Sequence, residues 1–269
     1  MSAPCRLDRA LIRAAGPEAK TFLQGVLTQN LDAPGELKYA ALLSPQGKLI
    51  ADMLVWRDGD ALILDADPAR GAELMRRLSM YKLRAQATLE DVSQSLAIAA
   101  ADTPFDGALV DPRLPALGWR KLAARDEAAM LADGASTFEA RRIALGVPDL
   151  AKDAASEEVF ALEALLEELH GVDFGKGCFV GQENVSRMKR RATTRKKLCP
   201  IAFEGAAPAS GTAVLAGEAE LGSVRSGVDG RAIALLRLDR ALQAEALSAG
   251  GKPVRLDPPD WLILPPIES

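Results

Sequence analysis

The chain has 269 residues, 48% of them hydrophobic and 26% charged, with a formal net charge of −4. That length and apolar content suffice for two or three small domains or one large one, and the acidic balance excludes a general polyanion binder, so nucleic acid is not an expected partner outside a local patch. No apolar run reaches the ~20 residues of a membrane span, and MSAPCRLDRA has no apolar stretch behind a basic start, so neither spanning nor export is expected and the expected compartment is the cytoplasm.

In chain order, residues 5–14 read as a strand, and Gly16-Pro17-Glu18 opens a helix through Leu27 with Phe22, Leu23 and Val26 as its buried stripe. From Leu37 to Asp65 the pattern is a three-stranded meander. Its turns are Ser44-Pro45-Gln46-Gly47 and Arg57-Asp58-Gly59-Asp60, and its later strands are 48–56 and 61–64. A helix over 68–80 and a strand over 85–89 complete an α+β unit with helices against one face of an antiparallel sheet.

Strands over 95–101 and 119–124 bracket a Pro- and Asp-rich stretch, 102–115, that reads as an exposed loop. Helices follow over 126–133 and 136–146, the second stopped by Gly146-Val147-Pro148. Ser156 is placed to cap a further helix. Glu157 and Glu158 occupy its first turn, Val159, Leu162, Leu166 and Leu169 its buried face, and Glu163 its solvated face. Short strands over 198–203, 220–226, 231–238 and 254–256 then predict a small β-barrel, before a last apolar stretch at 261–264. The expected units are 1–92, 93–197 and 198–269.

Three cysteines, Cys5, Cys178 and Cys199, form no CxxC pair and argue against a disulfide framework. They fall short of the four thiolates that usually hold a cluster, so no stably bound metal or iron-sulfur cluster is expected. The single histidine, His170, excludes a multi-His metal site and reads as a surface or capping residue.

Lys176 to Glu183 reads KGCFVGQE. Gly177 and Gly181 flank Cys178, which suggests a tight turn exposing the thiol. A helix beginning near Gly181 places Cys178 just before its N-terminus, where the helix dipole favours a thiolate. A buried, structural thiol is the competing reading. After the motif, Arg187, Lys189, Arg190, Arg191, Arg195, Lys196 and Lys197 form a basic run without an acid. Such a run is a solvated face, a grip for clustered carboxylates or a contact for RNA phosphates. The scarcity of aromatic residues, 4% of the chain, argues against RNA.

KGCFVGQE followed by Val185, Ser186 and Arg187 resembles the signature of the YgfZ-type folate-binding proteins, which serve iron-sulfur enzymes and are related to the aminomethyltransferase (T-protein) of glycine cleavage. FLQGVLT at 22–28 and RRIALGVP at 141–148 also resemble segments of that family. The resemblance implies a T-protein-like α+β ring of two units with antiparallel sheets plus a C-terminal β-barrel. It implies tetrahydrofolate as ligand, iron-sulfur enzymes or cluster carriers as partners, and a non-enzymatic assembly role carried by Cys178. Lys176, Gln182 and Glu183 would then line a central opening, with Arg187 at its edge and Asp52 among the folate contacts. Where T-proteins show two adjacent acids on the second strand, this chain has Ala51-Asp52. That departure argues against the alternative of folate-dependent aminomethyl transfer. Ala192 stands where family members often have Gly, which bears on the local turn.

Overall fold

Residues 5–14 form two strands rather than one in the computed structural model, which describes residues 3–192 and 194–266. These are β1 (Cys5–Leu7) and β2 (Ala10–Ala15), and the chain turns between them at Asp8-Arg9. Arg9 holds that corner by donating from Nε to Asp65 Oδ1 at 2.5 Å and from Nη2 to the Asp65 carbonyl at 3.1 Å. The two strands then enter different sheets.

After helix α1 (Ala19–Val26) come β3 (Leu37–Leu43), β4 (Leu49–Asp58), β5 (Ala61–Ala66), helix α2 (Pro68–Lys82) and β6 (Thr88–Asp91). They build a five-stranded sheet in the order β3-β4-β5-β2-β6. Because side chains alternate across a strand, Ile12, Leu42, Val55, Leu62 and Leu64 face Leu23 and Val26 of α1 and Leu74 and Leu78 of α2. Tyr39, Leu54, Trp56 and Ile63 point the other way into two further apolar clusters. Helices cover one face as expected, but the second face is buried too, which explains why these strands are apolar on both sides.

The second sheet adds β7 (Leu96–Ala101), β8 (Leu109–Val110), β9 (Trp119–Ala124) and β10 (Ala132–Asp133), in the order β10-β1-β7-β9-β8. Leu7, Leu11, Trp56, Ile63, Val92, Ile98 and Ala100 fill the space between the two sheets. The expected helix over 126–133 is shorter: α3 (Arg125–Ala129) gives way to β10 (Ala132–Asp133), which pairs in parallel with β1. The open edge of β1 offers ladder bonds there that outweigh one more helical turn. Helix α4 (Ala135–Ala144) follows, then the short α5 (Leu150–Asp153).

The stretch 102–115 is not simply an exposed loop. Asp111 and Arg113 lie in it with little exposure, since Arg113 grips Asp111 through two bonds of 2.9 and 2.7 Å and Arg120 adds a third of 2.8 Å. Nor is 156–169 a helix. Glu157, Leu165 and His170 adopt left-handed backbone conformations that divide the segment into single turns. Val159, Ala161, Leu162, Ala164, Leu165, Leu166 and Leu169 are all buried, so packing on several sides overrides the helical pattern. Glu163 lies half-buried, and its carboxylate accepts the Phe160 N–H at 2.9 Å instead of facing water.

Helix α6 (Gln182–Arg191) leads to β11 (Lys196–Ala202), β12 (Ala213–Ala216), β13 (Ala219–Val228), β14 (Arg231–Arg237), the short helix α7 (Leu238–Ala241), β15 (Leu247–Ala249) and β16 (Lys252–Leu256). The six strands close into a barrel in the order β11-β14-β13-β12-β15-β16, the seam being Ile201 opposite Leu256. Closure leaves no open edge. Arg142 ties this barrel to the second unit. Its guanidinium is buried and bonds Asp153 at 3.1 Å, Ser226 on β13 at 2.7 Å, and Glu139.

Candidate functional site

The KGCFVGQE segment is held by backbone contacts that only glycine permits. Gly181 precedes α6 with φ +84°, and a Cβ there would stand 2.6 Å from the Ser44 carbonyl oxygen and 3.0 Å from Gly47 Cα. Gly47 in turn has φ +80°, and its Cβ would meet that of Asn184 at 2.9 Å. Asn184 completes the joint by donating from Nδ2 to the Gln46 carbonyl at 2.6 Å. The Ser44–Gly47 turn, legible in the sequence, is thus the seat on which α6 rests.

Lys176 anchors the other end of the segment. Its Nζ donates to the carbonyls of Gln24, Leu27 and Gln29 at 2.7, 2.6 and 3.1 Å, which are backbone groups at and just beyond the end of α1. The ring of Phe179 lies 5.3 Å from the same ammonium. Burial pushes the Lys176 pKa down to about 8, with Asp173 and Asp32 opposing. With all three donors engaged, Lys176 stands as a fastener in this structure and reaches no open surface for a ligand. Thr28 adds a second fastener: its hydroxyl donates to the Gly171 carbonyl at 2.5 Å and accepts the Ala41 N–H at 2.8 Å. Gln29 Nε2 donates to the His170 carbonyl at 2.6 Å.

Between these anchors Cys178 is exposed. The other thiols are withdrawn. Cys199 is fully buried, and burial, helped by Asp257, pushes its pKa up to about 12. Cys5 is half-buried and donates to the Ala100 carbonyl at 3.3 Å, its thiol pKa also raised by burial.

Gln182 and Glu183 begin α6, and neither side chain has a hydrogen-bond partner among the described residues. Glu183 is exposed at the N-terminus and Lys189, Arg190 and Arg191 occupy the last turn, the arrangement the helix dipole favours. Arg187 is exposed and donates to Asn184 Oδ1. The basic run is partly neutralised: Lys189 pairs with Glu167, and Lys197, buried, pairs with Glu168 and donates to the Ile263 carbonyl at 2.8 Å.

Asp52 stands apart from the thiol loop, on β4, five residues or roughly 17 Å of strand beyond Gly47. It shares the inward face of the first sheet with Tyr39, whose hydroxyl donates to Asp52 Oδ2 at 2.9 Å. Oδ1 carries no hydrogen bond among the described residues. Burial raises the Asp52 pKa, and Asp149, the N-cap of α5, raises it further; Tyr39, Arg113 and Arg9 oppose. Arg113 lies 5.6 Å from the Tyr39 ring centre. Burial would raise the Asp111 carboxyl as well, yet Arg113 and Arg120 hold it far below the usual range. Arg120, stacked 4.7 Å from the Phe138 ring centre, keeps Nη1 buried without a partner.

The structure therefore places Cys178 just before α6, Gln182 and Glu183 in its first turn and Arg187 in its second, and sets Asp52 apart beside Tyr39, Arg113 and Asp149. Sequence reasoning missed Tyr39, Arg9, Asp65, Asp111, Arg113 and Arg120. Period-two alternation on β3 and β4 carries the signal for Tyr39 beside Asp52. The charged pairs carried none, because each partner alone looks like a surface residue.

Comparison with known proteins follows the same outline. Residues 195–263 match the CAF17 C-terminal beta-barrel domain. The chain is similar in structure to the glycine cleavage system aminomethyltransferase T of Bartonella henselae, with a TM-score of 0.75, 14% identity, and 95% of this chain and 84% of that one covered. That likeness shows the T-protein fold expected from the sequence, with its closing barrel. In sequence, the chain is 31% identical over 236 residues to the mitochondrial "Iron-sulfur cluster assembly factor IBA57 homolog" of Neurospora crassa, covering 75% of this chain and 54% of that protein. Against the fungal protein the chain thus spans about half the length. It is 30% identical to the mouse factor IBA57 over 275 residues, covering 86% of this chain and 76% of the mouse protein, and 27% identical to the human one over 300 residues.

These relatives are mitochondrial by name, which overturns the expectation of a cytoplasmic protein. The physical reason is that mitochondrial addressing rests on amphipathic, Arg-rich segments, so the missing apolar h-region had no bearing on it. The resemblance to YgfZ-type proteins narrows accordingly, to a related group. At 30% identity across three quarters of the mouse protein, the chain belongs to the family of the iron-sulfur cluster assembly factor IBA57.

Proposed function

We propose that this chain assists the assembly of iron-sulfur clusters in client enzymes, with Cys178 as its working group and tetrahydrofolate as a bound ligand. The observation that carries the reading is the contrast among the thiols: Cys178 is exposed in a loop fastened at both ends, while Cys5 and Cys199 are withdrawn. Membership of a family named for cluster assembly gives that exposed thiol a task. Among the described residues no group of three or more His, Cys, Asp or Glu is placed to hold a metal ion. Cys178 therefore offers one sulfur to a cluster in transit, the remaining ligands coming from the partner that carries it.

Asp52 suits the folate part of the proposal. It is half-buried and Tyr39 fixes one oxygen, which leaves Oδ1 to accept from the N–H groups of a pterin edge. Bound tetrahydrofolate would supply a reduced pterin with nitrogens able to carry a one-carbon unit. The residues' own part is to orient it. Lys176 is not among those contacts, since its donors are taken. Aminomethyl transfer has less support, because Ala51 packs among the helix-facing apolar residues and Asp52 stands without the adjacent acid. Three working parts follow the boundaries 1–92, 93–197 and 198–269, with β1 (Cys5–Leu7) of the first joined to the sheet of the second.

Reconstitution tests the function. An apo iron-sulfur enzyme is mixed anaerobically with a cluster-loaded carrier, with and without the purified chain, and enzyme activity is followed. The parent raises the yield of active enzyme and Cys178→Ala does not. Equal activation with and without the parent would defeat the proposal.

A further inference from the structure

The basic run has members that the cluster-assembly reading does not use. Glu167 and Glu168 neutralise Lys189 and Lys197, but Arg191 ends α6 and Arg195 leads into β11 on the barrel side. The barrel contributes Arg237 at the end of β14 and Arg240 in α7. Cross-strand pairing of Lys196 with Arg237 fixes the two segments side by side. Bonds from the Leu238 and Asp239 N–H groups to the Arg195 carbonyl, at 2.9 and 3.4 Å, fix them further.

The four arginines, with Asp239 and Gln243, line a cavity of about 430 Å³. Among the described lining residues Asp239 is the one acid, and it is already engaged with Arg237 through bonds of 3.1 and 2.9 Å. The guanidiniums of Arg191 and Arg240 carry no hydrogen bond or ion pair among the described residues. Like charges drawn together in a concave site repel one another until an anion enters. Among the described residues no aromatic side chain lines the walls to stack a base or a pterin ring. What the walls match is several anionic oxygens in a compact array, which guanidinium forks hold in bidentate fashion.

We propose that this cavity binds a multivalent oxyanion, either a phosphate chain or a cluster of carboxylates. The site joins the end of α6 to the barrel rim and lies at the opposite end of that helix from Cys178. It stands or falls independently of the thiol's role.

Calorimetric titration of the full chain at constant ionic strength tests it, with inorganic pyrophosphate as one probe and tri-γ-glutamate as the other. Saturable binding of at least one probe is expected. It should weaken about tenfold or more in the doubly substituted Arg191→Ala, Arg240→Ala protein and hold steady in Arg255→Ala, an exposed arginine outside the cavity. The tighter probe identifies phosphate or carboxylate as the ligand's chemistry. Both side chains to be removed are exposed, so the double variant folds as the parent does. The proposal is overturned if neither probe saturates, if the double variant binds like the parent, or if Arg255→Ala loses as much affinity as the double variant.

Discussion

Gly181 rests directly on Gly47: a Cβ on the first would come within 3.0 Å of the Cα of the second and 2.6 Å of the Ser44 carbonyl oxygen. Two residues 134 positions apart thus share one contact that admits no side chain. Gly181→Ala must move α6 off the turn and also strain a left-handed backbone position. We expect a loss of about 1–3 kcal/mol in urea unfolding, with the slope against denaturant unchanged.

Lys176→Met should also destabilise, for a different reason. The carbonyls of Gln24, Leu27 and Gln29 lose their shared donor, and orphaned backbone acceptors in a buried place cost more than removal of one buried ammonium returns. A loss of about 2 kcal/mol is expected. Hydrogen exchange should quicken at residues 26–30 and 174–180 and stay unchanged in the barrel.

Asp52→Asn should stabilise the protein at neutral pH. Burial raises the Asp52 pKa above its unfolded value, so the stability this carboxyl contributes is present at low pH and is lost as pH rises through the folded pKa. Asparagine never ionises and keeps an oxygen for the Tyr39 hydroxyl. Thermal melts should show the variant about 2 °C above the parent at pH 7 and the gap closing toward pH 4. The same substitution should weaken tetrahydrofolate, measured by fluorescence titration, because a neutral amide oxygen accepts from the pterin N–H groups less strongly than a carboxylate does.

Thiol labelling separates the three cysteines. In the native protein at pH 8, iodoacetamide should modify Cys178 first and Cys5 more slowly. Cys199 should react only on unfolding, since it is buried and its pKa is pushed up to about 12. Peptide mass spectrometry over time reads the order directly.

Much of this fold was legible because local chemistry and global packing agree. The Ser44–Gly47 turn, β9 at Trp119–Ala124, the start of α6 at Gly181 and most barrel strands follow from turn residues and alternation. Ala192 caps α6 at φ +47°, a left-handed position where Gly sits more easily, so the departure noticed in the sequence marks a real turn. The segment 156–169 was not legible, because non-glycine residues at left-handed angles break a good helical pattern where packing demands it. The fastening roles of Thr28 and Lys176 were opaque for another reason: the carbonyls to which they donate lie more than 140 residues away, and no local pattern announces such bonds. Asp111 and Arg113 read as loop charges because a salt bridge hides both partners only when the fold closes over them.

The central claim is that Cys178 does the work and that its exposure distinguishes it from the other two thiols. The measurement that tests it most directly is the activity of a cluster-dependent enzyme in cells lacking this protein, rescued in parallel by the parent, Cys178→Ala, Cys5→Ala and Cys199→Ala at matched expression. The account predicts rescue by the parent and by the Cys5 and Cys199 variants, and none by Cys178→Ala. Full rescue by Cys178→Ala would contradict it.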